Sequence, residues 1–300
     1  MNDKRKPPKI SVVIPCHNAE GTIERVLHAV LTQRVACHEV IVVDNNSQSD
    51  DTTRAKVEAL NDSRVHYLAP EQCANGNVAR NIGSQEATGD YIAYCDSDDI
   101  WDEDHIARRV ELLKQLPEEC AIYSGAKIQN NEKVKTDASR AIASDESPVE
   151  FLIGSNKALA QTSSYLVAKP VWERCKWDEK LKRHQDYEFF IAVQRYVGWT
   201  YLDTPTYTIF WHGNEVRNHS FESYWQFYLR YKQELSESGR ARYLFTRWKE
   251  ALLFEDGDTY KHYFRAELAS VSSCLPFSKR VLFSFPLLLT LLWPIARNYA

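Results

Sequence analysis

The sequence has no excess of charge of one sign that would attract a polyanion. Its 37 Lys and Arg residues stand against 41 Asp and Glu residues, which gives a formal net charge of −4. Proteins that bind DNA or RNA neutralise phosphates with a basic surface. We therefore expect no nucleic-acid partner.

Paired cysteines are also missing. The sequence has none of the short paired spacings of zinc or redox sites among its seven cysteines, which are Cys16, Cys37, Cys73, Cys95, Cys120, Cys175 and Cys274. An odd, scattered set of this kind is typical of reduced thiols, so we expect a cytoplasmic location. The basic N-terminus fits this expectation, because the apolar run after it ends at Pro15 and is too short for a signal peptide.

Several well-known catalytic and phosphate-binding motifs are absent. The chain contains neither GxGxxG nor GxxxxGK[ST], which argues against dinucleotide oxidoreductases and P-loop enzymes. It lacks GxSxG and HExxH, so neither a serine hydrolase nor a zinc protease is supported. An EF-hand that starts at Asp96 is excluded, because Trp101 stands where that loop requires glycine.

Aromatic residues are scarce in the first half of the chain. Of the 8 Trp, 16 Tyr and 12 Phe, only five precede residue 150, namely Tyr67, Tyr91, Tyr94, Trp101 and Tyr123. The second half therefore has a different composition. We expect most of its aromatic side chains to form core, and the alternative is stacking on the faces of a bound ligand.

What the first half does contain is an alternation of strand and helix patterns. Apolar, β-branched runs at 10–14, 40–43, 65–68 and 91–95 predict buried strands. Between the first two runs, Ile23, Val26, Leu27, Val30 and Leu31 form one apolar helical stripe. A second helix is predicted to start at Ser49 as N-cap and to bury Ala55 and Leu60. This order predicts an α/β fold with a parallel sheet.

The composition divides the chain into three segments. Residues 1–130 are predicted to form an α/β half, and residues 148–215 the other half of the same domain. Residues 216–300 are predicted to form a helical C-terminal region. The polar stretch 130–147 has little periodicity and is predicted to be a surface excursion or loop.

An uncharged run occupies residues 281–296, between Arg280 and Arg297. As a helix it would extend roughly 24 Å, which is short of a ~30 Å hydrocarbon core. Two interpretations remain open. The run is either a terminal helix that covers the core, or an interfacial anchor flanked by basic residues that contacts a membrane surface.

Three carboxylates follow the fourth predicted strand, at Asp96, Asp98 and Asp99. Packing gains nothing from their mutual repulsion, whereas a hard divalent cation would neutralise it. In extended backbone Asp96 and Asp98 project to the same side. The alternative is a solvated turn, but in open α/β sheets ligands bind at the carboxyl ends of strands. We therefore expect Mg²⁺ or Mn²⁺, which would complete its shell with substrate phosphates.

At this point the sequence resembles glycosyltransferase family 2. Five blocks occur in the family's order, namely SVVIPCHN at 11–18, IVVDNNSQSDDT at 41–52, GNVARNIG at 76–83, DSD at 96–98 and HQDYEFF at 184–190. The resemblance implies a GT-A fold, with a Rossmann-like, mostly parallel central sheet flanked by helices and an aromatic-rich helical region at the C-terminus. It also implies an inverting enzyme, in which residues 1–130 form the nucleotide-sugar-binding half. Residues 148–215 then form the half that binds the acceptor and carries the catalytic base.

The resemblance further implies which residues bind the donor nucleotide, which are Pro15, His17, Asn18, Asp44, Asn46, Asn77, Arg80, Asp96 and Ser97. An aspartate at a strand end accepts hydrogen bonds from a base or ribose, and arginine offers a fixed fork of donors for phosphate. Taken singly, Asp44 fits an ordinary turn and Arg80 fits a surface helix. The implied metal ligands are Asp96, Asp98 and His212.

By the same resemblance Asp186 is the catalytic base, and Glu188 is the alternative base. An aspartate before an apolar helix is also a routine N-cap. The sequence departs from the family's pattern at Gln185, where glutamate is common, and at Asn45, where a second aspartate is common. His219 competes with His212 for the metal.

The implied reaction moves a sugar from a nucleoside-diphosphate sugar, with uridine as the commonest nucleotide, to a hydroxyl of a saccharide or lipid-linked acceptor. Two alternatives stay open. One is a non-catalytic saccharide-binding or membrane-associated module, and the other is a nucleotidyltransferase, although here the first strand leads into PCHN rather than a Gly-rich loop. We expect a cytoplasmic protein that lies on the inner face of the membrane if the tail is an anchor.

Overall fold

The computed structural model of the chain describes residues 6–130, 133–137, 139–154, 158–211, 220–254 and 257–286. The chain forms two compact units. The first consists of Met1–Ile142, Leu159–Lys180 and Gln185–His212, and the second of Ala143–Ala158, Leu181–His184 and Gly213–Ala300. The functional division into 1–130, 148–215 and 216–300 stays a prediction.

The strands of the described chain all belong to the first unit. In chain order they are β1 (Ile10–Cys16), β2 (Glu39–Asp44), β3 (Val65–Leu68), β4 (Tyr91–Tyr94), β5 (Ile100–Trp101), β6 (Ala121–Ser124), β7 (Ala126–Asn130), β8 (Lys133–Asp137), β9 (Leu166–Ala168), β10 (Thr200–Leu202) and β11 (Tyr207–Trp211).

Seven of these strands form the central sheet, in the order β10-β6-β9-β4-β1-β2-β3. All neighbouring pairs are parallel except those of β9, which runs antiparallel to β4 and β6. The mostly parallel α/β sheet predicted from the sequence is therefore confirmed. A smaller sheet has the order β5-β11-β7-β8.

Helices flank the central sheet in the first unit and build the second unit. The first unit contains α1 (Ile23–Leu31), α2 (Thr53–Ala59), α3 (Gly76–Glu86), α4 (His105–Leu113), α5 (Lys169–Cys175) and α6 (Gln185–Tyr196). The second contains α7 (Phe221–Tyr231), α8 (Glu237–Leu253), α9 (Tyr260–Val271) and α10 (Phe277–Ser284). Short 3₁₀ turns lie at Thr162–Ser164, Lys232–Glu234 and Ser272–Cys274, and one π-helical turn at Glu150–Gly154.

The core of the first unit forms where the apolar runs predicted it. The four predicted strands correspond to β1, β2, β3 and β4, and β1 is buried along its whole length. The expected burial is wrong for β3, which is only partly buried because it lies at the edge of the central sheet. On α1, Ile23, Val26, Leu27 and Val30 are completely buried. Burial of this stripe fixes the helix on the sheet and leaves the carboxyl ends of the strands free to form a site.

The second helix differs from the prediction. It begins at Thr53 rather than after Ser49, and the Asp51 carboxylate accepts a hydrogen bond from the Thr53 amide at 3.0 Å. Ala55 and Leu60 are exposed, whereas Thr53 and Val57 are buried. Thr53 and Val57 lie one turn apart on one side of the helix, and Ala55 lies two residues from each, on the opposite side.

The polar stretch after residue 130 is a strand over part of its length, although a loop was one of the predicted forms. Strand β8 pairs antiparallel with β7 at the edge of the smaller sheet. Val134 is 58% exposed. An edge strand that lies near solvent on both faces buries no apolar row, so its sequence shows no alternation.

Candidate active site

A cleft opens where β1, β2 and β4 end and α3 begins. It has a volume of about 230 Å³, and its lining consists of Pro15, Cys16, His17, Asn45, Gly76, Arg80, Asp96, Ser97 and Asp98. Six of these were predicted as site residues from three sequence blocks that lie far apart in the chain. Parallel strands place their carboxyl ends at one edge of the sheet, which is why the blocks meet there.

The loops after β1 and β2 hold each other by hydrogen bonds. The Asn45 amide donates to the Cys16 carbonyl at 2.7 Å, and the His17 Nδ1–H donates to the Asn45 carbonyl at 2.8 Å. Asn18 and Asn46 both have positive φ, at 49° and 55°. Asparagine tolerates this left-handed conformation better than most residues, so both loops turn sharply at the cleft's edge.

Asp44 lies at the end of β2 beside the cleft and does not line it. Its Oδ1 accepts a hydrogen bond from the Ser47 amide at 2.9 Å, and its carboxylate also interacts with the Tyr67 hydroxyl. Burial and the neighbouring Cys16 and Asp44 raise the pKa of Tyr67, so Tyr67 stays a neutral donor. Asp44 thus takes part in an ordinary turn, which is the alternative that its sequence position allowed. Its contact with the nucleotide stays a prediction.

Asn77 is buried and does not line the cleft. Its amide donates to the Asp178 carbonyl at 2.6 Å, and its Oδ1 accepts from Arg80 at 3.4 Å. Asn75 caps the same helix, since its Oδ1 accepts from the amides of Asn77 and Val78. The start of α3 is therefore tied to the segment before α6, and Asn77 supports Arg80 in the cleft.

Arg80 is the cation of the cleft and is only 8% exposed. Its guanidinium donates to Asp96 Oδ1 at 2.6 Å and lies 4.8 Å above the ring of Trp177. Trp177 in turn stacks on Phe189 of α6, with ring centroids 4.1 Å apart. Gly76 leaves room for this arginine, because a Cβ there would lie 3.2 Å from its Nη1.

The acidic segment forms a turn rather than extended backbone. The Asp99 amide donates to the Asp96 carbonyl at 3.2 Å, which closes a turn through Ser97 and Asp98. Asp96 and Asp98 nevertheless both line the cleft. On the outer side of the turn, Arg25 donates to the Asp98 carbonyl at 3.2 Å and stacks on Phe210 at 4.6 Å.

Ser163 holds this turn from behind, a role that no sequence motif indicated. The Ser163 side chain is fully buried, and its hydroxyl donates to Asp99 Oδ2 at 2.6 Å while it accepts from the Asp96 amide at 2.9 Å. Its carbonyl accepts from the Trp101 indole at 3.0 Å. Burial, followed by the charges of Asp96 and Asp98, raises the pKa of Asp99 well above its usual value. Asp99 is thus a buried support, and only two carboxylates of the cluster face the cleft.

Asp186 lies in the first turn of α6, as the sequence predicted, and is partly buried. Its Oδ1 accepts a hydrogen bond from the Tyr187 amide at 3.0 Å. Burial raises its pKa from 3.8 to about 6, with Arg80 opposing and Asp96 assisting the shift. Asp186 thus lies in the electrostatic field of Arg80 and Asp96, two of the charged residues of the cleft. Glu188 is also partly buried and lies half a turn further along the helix.

The cleft's carboxylates fit a divalent cation. Within the described ranges, no group of three or more His, Cys, Asp or Glu side chains is arranged to hold a metal ion. Asp96 and Asp98 offer oxygen ligands from one side of the cleft, and two carboxylates suffice for Mg²⁺ or Mn²⁺ when phosphate and water complete the shell. His212 and His219 lie outside the described residues, so their predicted competition for the metal stays a prediction.

Solved structures share this fold. S. aureus TarS in complex with UDP-GlcNAc superposes with a TM-score of 0.59 at 17% identity, over 92% of this chain and 73% of that one. The mannosyltransferase PcManGT of Pyrobaculum calidifontis, in complex with GDP-Man and Mn²⁺, gives a TM-score of 0.55 at 16% identity, over 98% and 85%. The chain therefore has the GT-A fold that the resemblance implied.

The family itself follows from the sequence comparison. The family model described as "Glycosyl transferase family 2" matches residues 11–182, more than half of the chain. The chain belongs to this family, and the sequence-based assignment is confirmed.

Relatives with assigned names cover parts of the chain. The amylovoran biosynthesis glycosyltransferase AmsB of Erwinia amylovora is 31% identical over 63% of this chain. The Escherichia coli enzyme WfgD, named as a UDP-Glc:α-D-GlcNAc-diphosphoundecaprenol β-1,3-glucosyltransferase, is 40% identical over 34% of this chain. The matches span 65% and 38% of the length of these two relatives.

Proposed function

We propose that the chain is an inverting glycosyltransferase that moves a sugar from a nucleoside-diphosphate sugar to an acceptor hydroxyl. One observation carries the proposal. A carboxylate with its pKa raised to about 6, Asp186, lies in the field of Arg80 and Asp96, which line a cleft at the carboxyl ends of the parallel strands. A base, a phosphate-binding cation and acidic metal ligands are the groups that this transfer requires.

The donor is a uridine diphosphate sugar in this proposal. WfgD is named for UDP-Glc and TarS has been solved with UDP-GlcNAc, although PcManGT has been solved with GDP-Man. His17, Asn18, Asp44 and Asn46 lie at or beside the edge of the cleft and are assigned to the base and ribose. Pro15 and Ser97 line the cleft, and Pro15 is likewise assigned to the base and ribose. Asn77 acts by supporting Arg80.

Two groups of the chain act directly in the transfer. Asp186 takes the proton of the acceptor hydroxyl as the acceptor oxygen attacks the anomeric carbon from the face opposite the diphosphate. The bond between that carbon and the diphosphate oxygen breaks, and its electron pair stays on the phosphate. Arg80 donates hydrogen bonds to the departing diphosphate, and stacking on Trp177 fixes the direction of its fork. No covalent enzyme intermediate is required.

Asp96 and Asp98 are the residues that would hold Mg²⁺ or Mn²⁺, which when bound supplies positive charge next to the diphosphate. Arg80 already pairs with Asp96 at 2.6 Å. This pair keeps the Asp96 carboxylate at the cleft and limits its repulsion from Asp98 when no cation is present.

The acceptor is a saccharide or a lipid-linked saccharide, by analogy with the diphosphoundecaprenol acceptor in the name of WfgD. We propose a cytoplasmic protein that contacts the membrane surface through the region of residues 281–296, of which 281–286 are described. None of the described helices has the length and apolar character needed to cross a bilayer.

Release of nucleoside diphosphate by the purified chain tests the proposal. UDP-Glc, UDP-GlcNAc and GDP-Man are supplied separately with Mn²⁺, with and without a saccharide acceptor. We expect release from one donor, its loss in EDTA and its recovery when Mn²⁺ is restored.

Two other outcomes would contradict the proposal. Binding of nucleotide sugars without turnover of any of them, also with acceptor present, indicates the non-catalytic module. Conversion of a nucleoside triphosphate and a sugar phosphate to a nucleotide sugar, with release of pyrophosphate, indicates a nucleotidyltransferase.

A further inference from the structure

Helix α10 of the second unit exposes aromatic side chains that a helix of a water-soluble unit would ordinarily bury. Phe277 is 76% exposed and Phe285, at the C-cap, is 62% exposed. With Val281 between them they are spaced four residues apart, so the three side chains follow one side of the helix. Isolated exposed apolar residues are normal, but a row along one helix face marks an interaction surface.

The other side of α10 packs on its own unit. The ring of Phe283 lies 5.2 Å from the ring of Trp248 in α8, and the Arg265 guanidinium of α9 lies 5.1 Å from Phe283. The helix is thus fixed in a defined orientation. Exposure of Phe277 and Phe285 is a consequence of that packing.

A cation borders this face. Arg280 is exposed on α10 and directly precedes Val281. Lys279 lies on the packed side of the helix, two residues from both Phe277 and Val281, with its ammonium 5.5 Å from the ring of Phe245. The sequence contains no Asp or Glu after Glu267, so the whole C-terminal stretch contributes only positive side-chain charge. An apolar face with a basic neighbour is complementary to a surface that is apolar inside and anionic outside.

We infer that the α10 face, formed by Phe277, Val281 and Phe285 with Arg280, docks on an anionic lipid surface. Aromatic rings enter the boundary between headgroups and acyl chains, while the cation pairs with lipid phosphates. The sequence after Phe285 stays uncharged up to Arg297, which favours lipid over a protein partner as the occupant. This inference rests on the membrane contact proposed above and specifies its face and its lipid charge.

Vesicle flotation of the full chain tests the inference. Vesicles of phosphatidylcholine alone are compared with vesicles that contain 30 mol% phosphatidylglycerol, a composition chosen on the order of anionic lipid contents that attract polybasic segments. We expect binding to the anionic vesicles only, with weakening at high salt. The double variant Phe277→Ser/Phe285→Ser loses at least about tenfold in partition coefficient, and Arg280→Glu loses about fivefold or more.

Matched controls come from the edge strand β8 of the first unit. Val134→Ser removes an exposed apolar side chain and Lys135→Glu reverses an exposed charge, and both are expected to bind vesicles as the parent does. Melting temperature and circular dichroism verify that every variant is folded. Donor turnover without lipid should be the same in the α10 variants, which separates this inference from the proposed catalysis.

Three results would overturn the inference. The first is equal binding to neutral and anionic vesicles, or binding to neither. The second is unchanged binding by both α10 variants. The third is a change of oligomeric state in the Phe277→Ser/Phe285→Ser variant without a change in vesicle binding, which would assign the face to a second copy of the chain.

Discussion

Asp186 is placed to work as a base near neutral pH because burial opposes its ionisation. A carboxylate with the usual pKa of about 3.8 would be a weak proton acceptor, whereas a value of about 6 brings it close to working pH. We expect kcat to rise with pH through about 6 and to level off above it. A pH–rate profile of the parent chain measures this inflection.

Replacement of this carboxylate separates chemistry from binding. Asp186→Asn should lower transfer by about 10²–10⁴-fold and abolish the inflection, while donor affinity measured by calorimetry stays within about twofold of the parent. Persistence of the inflection in the Asn variant, or a large loss of donor affinity, would assign the base to another residue. Glu188 is then the next candidate, and Glu188→Gln is the corresponding variant.

The raised pKa of Asp186 also makes the stability of the folded chain fall as the pH rises. Since the pKa of Asp186 is higher in the folded state than in the unfolded chain, the folded state holds the proton more tightly, and ionisation costs stability as pH rises from about 4 to about 6. Asp186→Asn should therefore melt at a higher temperature than the parent at pH 8. This difference in melting temperature should narrow towards pH 4, where Asp186 of the parent approaches protonation in both the folded and the unfolded state.

Ser163 offers a second prediction at this scale. Ser163→Ala removes the hydroxyl that joins Asp99 to the Asp96 amide, so it should cost about 1–3 kcal/mol of unfolding free energy and raise the Mn²⁺ concentration needed for half-maximal donor turnover. Denaturant titration and a Mn²⁺ titration of turnover measure the two effects.

The neighbouring Ser164 is the matched control. It is equally buried, but its hydroxyl donates to the Gln161 carbonyl at 2.7 Å and not to the acidic turn. Ser164→Ala should lose stability without a change in the Mn²⁺ requirement. If both variants shift that requirement equally, Ser163 acts on general stability and has no particular role at the turn.

Sequence reasoning found six of the nine residues that line the cleft, and it missed Ser163 and Trp177, which support it. Asp96 and Arg80 were identifiable because carboxylates after a strand and an arginine within a family motif have chemical reasons to be there. Ser163 lies 67 residues from Asp96 in the sequence, and Trp177 lies 97 residues from Arg80. Both separations exceed the length of a sequence motif. The two residues act through contacts that only the folded chain creates. No local pattern distinguishes them from ordinary core residues.

At the scale of elements, strands were more predictable than helix starts. A fully buried parallel strand requires a continuous apolar run, so β1 and β2 could be read directly from the sequence. The start of α2 could not, because several capping residues compete within 49–53 and the tertiary position of Thr53 decides among them. The aromatic second half proved to be largely core, with Phe189, Phe190 and Trp248 almost completely buried.

The N-terminus of α3 provides a prediction at this scale. Asn75 accepts from the amides of Asn77 and Val78 and donates to the Glu179 carbonyl at 2.7 Å, so Asn75→Ala loses a cap and a link to the segment before α6. We expect a loss of about 1–2 kcal/mol in unfolding free energy. Chemical denaturation measures it.

Thr22 serves for comparison, because it stands at the N-cap of α1 and makes no capping hydrogen bond through its side chain. Thr22→Ala should cost no more than about 0.5 kcal/mol. A similar loss in both variants would mean that the cap hydrogen bonds of Asn75 add nothing to the stability of α3.

On the scale of the whole molecule, the assignment of the cleft to the first unit determines how ligands affect unfolding. A ligand stabilises the unit that binds it by RT ln(1 + [L]/Kd), which is about 2.7 kcal/mol at a concentration of 100 Kd. All the residues that line the cleft lie within Met1–Ile142. If the two units unfold in separate transitions, only the transition of the first unit should shift when a ligand binds.

UDP and Mn²⁺ together should therefore raise this transition by more than the sum of their separate effects. The cation lessens the repulsion between Asp96 and Asp98, and the diphosphate completes its shell, so each ligand strengthens the binding of the other. Differential scanning calorimetry with each ligand alone and with both measures the coupling. Asp98→Asn should abolish it, whereas Asp145→Asn, which removes the same charge from an exposed position in the second unit, should leave it intact. A purely additive shift, or equal loss in both variants, would mean that the acidic turn does not bind a cation together with the diphosphate, and the donor would then depend on Arg80 alone for its phosphate contacts.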